Sequence, residues 1–218
     1  MPRPRRDSNI PPAKQRMENA FWTLLEEREY RRITVTDIVQ RAQVNRNSFY
    51  YHFSGLPELA DAAILSEVKN SPLVQEVPDP KADPQEQWRR RITHFMSTPR
   101  EQDRLNHLAL LAGPHSSPEL VESLRDFARM SLMEMLDFSP STIDLKTDLM
   151  LDFTVGGLLV ILRRWPELRQ TVSMQDLLNE DVAVLAMGIY TSMSKESMLA
   201  YWNRIFNQQQ TDGRTTVA

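Results

Sequence analysis

The chain has 218 residues, a formal net charge of −3 and no cysteine. Its 41% hydrophobic and 25% charged residues are ordinary globular composition, enough for a sizeable core in one large domain or two small ones. The missing cysteines exclude a disulfide framework, a thiol nucleophile and thiolate metal sites, and the longest largely apolar stretch, Phe153–Leu162, is ten residues, where a membrane helix needs roughly 20.

The first ten residues, MPRPRRDSNI, are basic, proline-containing and without period, which reads as a flexible arm. From Pro11 the pattern turns helical. Met17, Ala20, Phe21, Leu24 and Leu25 recur at three- and four-residue spacing up to Arg28. Thr34-Val35-Thr36 is β-branched and reads as extended, with Thr36 as hydroxyl N-cap and Asp37 as first-turn acid of a short helix ending near Ala42. Gln43-Val44 makes a turn, and Asn45 is the N-cap of a second short helix to Phe53. Gly55 stops that helix, and Pro57 with Glu58 opens another running to about Asn70.

A segment rich in Pro and Asp follows, Ser71–Pro84, and reads as a linker. Beyond it, helical patterns cover about 85–97, 101–113, 118–137, 142–164, 174–190 and 194–209, punctuated by Pro99, Gly113-Pro114, Pro140 and Pro166. No segment alternates as a strand would. The expected fold class is all-α: a basic arm over 1–10, a three-helix helix-turn-helix domain over 11–56, a second helical domain over 57–210, and a polar, disordered tail over 211–218. With no cleavable apolar segment after the N-terminus, a soluble cytoplasmic protein is expected.

The charge is unevenly spread. Residues 1–55 carry ten Lys/Arg against six Asp/Glu, whereas the remainder carries sixteen against twenty-three. A basic head on an acidic body directs the head at phosphate. The helix from Asn45 to Phe53 has the matching chemistry. Phe49 and Phe53 are four apart and share one face, while Arg46, Asn47, Tyr50 and Tyr51 fall largely on the other. A helix of about eight residues is roughly 12 Å long and fits the major groove, where Arg can pair bidentately with guanine and Asn with adenine. Arg46 and Asn47, at its start, are the expected base readers. Thr36, Ser48, Tyr51 and His52 are suited to phosphate oxygens, and Tyr50 to either. An aromatic pair taken alone is more often packing than function; the turn, the caps, the outward Arg/Asn and the basic arm together reverse that weighting.

The stretch ITVTDIVQRAQVNRNSFYYHFSGLPEL resembles the DNA-binding head of the TetR/AcrR family of bacterial transcriptional regulators. Thr36, Ile38, Val44 and Tyr50–Phe53 match the family's pattern, and the likeness covers about 50 residues. Two positions depart from it. Gln43 stands where the family usually has Gly, and Leu56 stands where it usually has a Lys that contacts phosphate. The arm residues Arg3, Arg5 and Arg6 are left to supply that contact.

The resemblance implies a homodimer whose body holds a small-molecule effector pocket. From the residues themselves, Phe153, Gly156, Gly157, Val160 and Ile161, with Leu178 and Leu185 on the next helix, form an apolar stripe. It fits an internal core helix or a dimer interface equally well, and the need for two DNA half-sites favours the dimer. Trp88, Phe95, Met96, Leu110, Phe127, Met130 and Met150 are candidates for an adaptable apolar lining, although Met at helical spacing is more often core. His94, His107 and His115 lack metal-ligand spacing, and no catalytic or nucleotide-binding motif is present. No cofactor, no metal, no membrane and no catalysis are expected. The expected function is a regulator, acting as a repressor, released from a palindromic DNA operator by an apolar or amphipathic effector. The rival expectations are a head that docks a protein partner instead of DNA, and a helical enzyme.

Overall fold

The helices of the N-terminal region form along apolar stripes, and polar caps start α2 and α3. In the computed structural model, which describes residues 11–70, 86, 89–90, 93–94, 97–136, 138–139 and 143–171, helix α1 (Ala13–Glu27) buries Met17, Ala20, Phe21, Trp22, Leu24 and Leu25. That stripe is the one its three- and four-residue spacing predicts. A single 3-10 turn, Tyr30–Arg32, leads to α2 (Val35–Arg41), α3 (Arg46–His52) and α4 (Leu56–Lys69). Beyond them lie α5 (Pro99–Leu110), α6 (Pro118–Met135) and α7 (Leu145–Thr171). Among the described residues all regular structure is helical.

One apolar core joins these elements. Phe21, Leu25, Ile38, Phe49, Phe53, Leu59 and Ile64 are buried in it together with Leu111, Leu120, Leu124 and Leu162. Helix α4 packs against both α1 and α6, and α7 against α5 and α6. Polar contacts reinforce the same joints. Tyr30 N donates to His115 O at 2.8 Å, His115 Nδ1 to Leu25 O at 3.0 Å, and Ser123 Oγ to Asp61 Oδ1 at 2.7 Å.

Three boundaries differ from the sequence reading. The N-cap of α2 is Thr34, not Thr36: the Thr34 side chain accepts from Asp37 N, and the Asp37 carboxylate accepts from Thr34 N. This reciprocal pair needs an acid three positions after the cap, which only Thr34 has. The helix expected from about 101 begins at Pro99, whose missing N–H costs nothing in the first turn of α5. Pro166 does not end α7, which continues to Thr171. The turn around the proline is held from outside, because Trp165 Nε1 and an Arg169 guanidinium nitrogen both donate to Asn106 Oδ1 on α5, at 3.0 and 3.1 Å. The expected arm, linker and tail, and the helices over 174–190 and 194–209, lie outside the described residues.

Candidate nucleic-acid interface

The turn between α2 and α3 determines how α3 is presented. Helix α2 ends in a reciprocal pair of backbone bonds, Gln43 N to Gln40 O at 3.2 Å and Val44 N to Val39 O at 3.0 Å. This pattern requires a left-handed residue in the middle, usually glycine. Here it is Gln43, with φ 53°. Val39 and Val44 both pack on the core, which supplies the apolar contact that accompanies such an ending. Arg16, on α1, reaches across the turn: its guanidinium donates to Ala42 O at 3.1 Å and to Gln43 O at 3.2 Å. Two residues later Asn45 caps α3, its side-chain oxygen accepting from Ser48 N at 2.7 Å.

Helix α3 buries one face and exposes the other. Phe49 and Phe53 are inside, their rings 5.7 Å apart. Arg46 and Asn47 are exposed, Tyr50 is 50% and Tyr51 84% exposed, and Ser48 and His52 are half-buried. The Arg46 guanidinium lies 5.8 Å from the centre of the Tyr50 ring, and one of its nitrogens donates to the Tyr50 hydroxyl at 3.4 Å. This contact holds a long cation in one direction ahead of any partner. His52 packs edge-on to Tyr51 and leans on Phe53.

Thr36 follows the cap of α2 by two positions and is exposed. Because Thr34 does the capping, the Thr36 hydroxyl stays available, and it has no hydrogen-bond partner among the described residues. All seven DNA-contact candidates therefore sit on α2 and α3 with their polar atoms at or near the surface. Leu56 is the first residue of α4 and packs partly buried against the core, so the position that usually offers a lysine offers apolar contact instead. Beside it Ser54 donates through both its N–H and its hydroxyl to Glu58, at 2.7 and 2.6 Å. These bonds hold the Glu58 carboxyl below the usual range.

Ion pairs absorb much of the head's basic charge. Arg41 grips the Glu27 carboxylate at 2.8 and 2.7 Å, which ties α2 to α1, pushes the guanidinium pKa up and holds the Glu27 carboxyl below its usual range. Arg28 faces Asp37 at 3.5 Å, and Arg32 faces Glu29 at 3.4 Å. Arg46 has no acidic partner among the described residues; its contact is the Tyr50 side chain. The sequence pattern overlooked Thr34 and Arg16. A Thr-x-x-Asp spacing marks the first; no local signal marks the second, whose acceptors are 26 and 27 positions away.

In the body the expected pocket residues do not share one described cavity. Leu110 lines a cavity of about 350 Å³ between α5 and the end of α7. Met130 lines another of about 560 Å³ beside α6 and α7, with Met133, Ile143, Leu145, Asp126, Arg129 and Asp148. Phe127 packs against the core, and Met150 is half-buried on α7. Trp88, Phe95 and Met96 lie outside the described residues. Of the expected dimer residues, Phe153, Val160 and Ile161 are exposed large apolar side chains on α7, together with Leu145 and Leu149. A Cβ added at Gly156 or Gly157 would meet nothing within 4 Å. Leu178 and Leu185 lie outside the described residues.

Comparison with known proteins places the head. Residues 20–63 match the family model described as bacterial regulatory proteins, tetR family; this span runs from α1 through α3 into α4. No curated protein matches the chain. Among solved structures, a tetR-family transcriptional regulator from Streptomyces coelicolor is similar at 16% identity and TM-score 0.49, covering 89% of this chain and 91% of that one. A TetR transcriptional regulator from a Rhodococcus species is similar at 17% identity and TM-score 0.46, covering 84% and 98%. The TetR-family repressor AlkX from a Dietzia species, implicated in biodegradation of n-alkanes, is similar at 16% identity and TM-score 0.37, covering 90% and 98%. Over residues 20–63 the chain is thus similar to the tetR family of bacterial regulatory proteins.

Proposed function

We propose that the chain is a homodimeric repressor that grips a palindromic operator with two copies of α3 and leaves it when a small apolar or amphipathic effector binds the body. The observation that carries this reading is the exposed start of α3. Arg46 and Asn47 stand out from a helix anchored by Phe49 and Phe53, and Tyr50 directs the Arg46 guanidinium. Arg and Asn are the residue types that discriminate guanine and adenine in the major groove. Thr36, Ser48, Tyr51 and His52 surround them as phosphate donors that fix register.

The second copy is supported by α7. Leu145, Leu149, Phe153 and Val160 recur at helical spacing and are exposed, and an apolar stripe of that length calls for a partner. Two heads are also what a palindrome requires. The effector is supported by the open cavity of about 560 Å³ that Met130, Met133, Ile143 and Leu145 line together with Asp126, Arg129 and Asp148. An effector that prefers one spacing of the heads shifts the population by that preference alone.

Binding to DNA from upstream of the chain's own gene, followed across salt concentrations, tests the reading. Specific, salt-dependent binding is expected. Alanine at Arg46 and Asn47 should each cost about 1–3 kcal/mol of specific binding while non-specific binding persists. No specific binding by the wild-type chain overturns the proposal. Phe153→Glu should weaken the dimer by about 2 kcal/mol or more, read by sedimentation over a concentration series, with helix content unchanged.

A further inference from the structure

Gln43 occupies the left-handed position of the α2–α3 turn, φ 53°, where a side chain is disfavoured. Left-handed backbone at a residue other than glycine is strained and persists where neighbours over-determine it. The neighbour here is Arg16. One of its guanidinium nitrogens donates to both Ala42 O and Gln43 O, at 3.1 and 3.2 Å, and its Nε is buried without a partner. The two bonds to Ala42 O and Gln43 O are the hydrogen bonds the Arg16 side chain makes among the described residues. The cation also faces the C-terminal end of α2, where carbonyl oxygens carry partial negative charge.

We propose that Arg16 is a positioning residue for operator recognition: from α1 it clamps a glycine-free turn and so fixes the direction in which α3 carries Arg46 and Asn47. The clamp sits three residues ahead of Arg46 and does not need to touch DNA. Without it, Gln43 relaxes toward ordinary backbone, the Asn45 cap moves, and the two base readers lose their aim. A misplacement on the order of 1 Å is enough to weaken bidentate pairing. Arg16 thereby takes over what glycine does elsewhere, which is to make the turn stable without outside help.

This inference rests on the DNA-binding reading, and the experiment separates the two. Wild type, Arg16→Met, Gln43→Gly and the double variant are compared for specific and non-specific DNA affinity over a salt series, alongside thermal unfolding. Methionine keeps an apolar stem and removes the donors. Arg16→Met is expected to lose about tenfold in specific affinity, the size of one well-placed base contact, with non-specific affinity and the salt slope unchanged. Gln43→Gly in that background is expected to restore most of the loss, because glycine adopts the left-handed conformation without a clamp. Arg16→Lys, which keeps the charge but offers a single point in place of a fork, should fall between wild type and Arg16→Met and folds even where Arg16→Met does not. A salt slope lower by about one with both affinities reduced makes Arg16 a phosphate contact and overturns the proposal. So does unchanged specific affinity, or a loss that Gln43→Gly fails to rescue. Wild-type protein that finds no specific site overturns the DNA reading, and the role of Arg16 with it.

Discussion

The head and the body use their polar side chains differently. In the head several close helix ends, Thr34 with Asp37, Asn45 with Ser48, Ser54 with Glu58, and Arg16 on the last carbonyls of α2, while Arg41 on Glu27 ties α2 to α1. In the body α5 and α6 begin without a side-chain cap, α7 begins with Asp144 Oδ1 accepting from Thr147 N at 2.8 Å, and charged groups join one helix to another. Arg104 on α5 pairs with Glu101 and reaches Glu67 on α4 at 3.3 Å. His107 Nδ1 meets the same Glu67 carboxylate at 2.9 Å, its ring stacked on Trp22 at 4.9 Å. Arg129 on α6 pairs with Asp148 and Asp152 on α7. Caps make each helix hold its own shape; cross-links make helices hold one another. A helix-to-helix pair can be exchanged for another as helices shift, whereas a cap holds only its own helix end.

The largest test of this contrast is at the joint itself. Arg104 and Glu101 are both buried, and Arg104 also faces Glu67. Arg104→Met strands the buried Glu101 carboxylate at the junction of α1, α4 and α5 and leaves Glu67 with His107 alone. Removing one member of a buried pair costs about 3–5 kcal/mol, so denaturant unfolding should show a loss of that size. If instead the loss is under about 1 kcal/mol, the size of a surface pair, the joint is not held by this cluster and the contrast between the regions fails.

What could be read in the sequence divides along the same line. The burial of Phe49 and Phe53, the Asn45 cap, the turn at Gln43-Val44 and the start of α4 near Gly55 and Pro57 are all local, decided by residues within one turn of helix. They match the structure. The α2 cap falls at Thr34 rather than Thr36, because of two nearby threonines only Thr34 has Asp37 three positions on. Pro166 breaks no helix because Asn106, sixty residues away in the chain, holds the turn on either side of it; no local rule contains that contact. Leu110 and Met130 both have the composition of a pocket lining, yet they line different cavities. Composition says that a residue is apolar but not which other residues share its space.

A smaller effect tests whether the head depends on its caps. Thr34→Ala removes the hydroxyl that Asp37 N donates to and that bonds the Asp37 carboxylate at 2.6 Å, and N-cap replacements of this kind cost about 1 kcal/mol. The loss should vary with pH. Hydrogen bonds from the Thr34 side chain, and then from its backbone N–H, hold the Asp37 carboxyl below its usual range. A depressed folded-state pKa contributes stability above the ordinary carboxyl range and loses it as pH falls through the folded value. The gap between wild type and Thr34→Ala, followed by thermal unfolding, should therefore narrow in acid. A gap that is constant down to acid pH would mean that the carboxylate takes no part in the cap.

The smallest stability effect belongs to the threonine two positions further on. Thr36 is exposed on α2, with no hydrogen-bond partner among the described residues, so Thr36→Ala should stay within about 0.5 kcal/mol in unfolding. Alanine is even the better helix former there. If its hydroxyl donates to phosphate, however, DNA affinity should fall for every sequence alike, without a change in preference. Two neighbouring threonines would then separate by assay, Thr34→Ala appearing in unfolding and Thr36→Ala in binding. A Thr36→Ala variant as unstable as Thr34→Ala would restore the cap to Thr36 and leave the start of α2 without a hydroxyl for DNA.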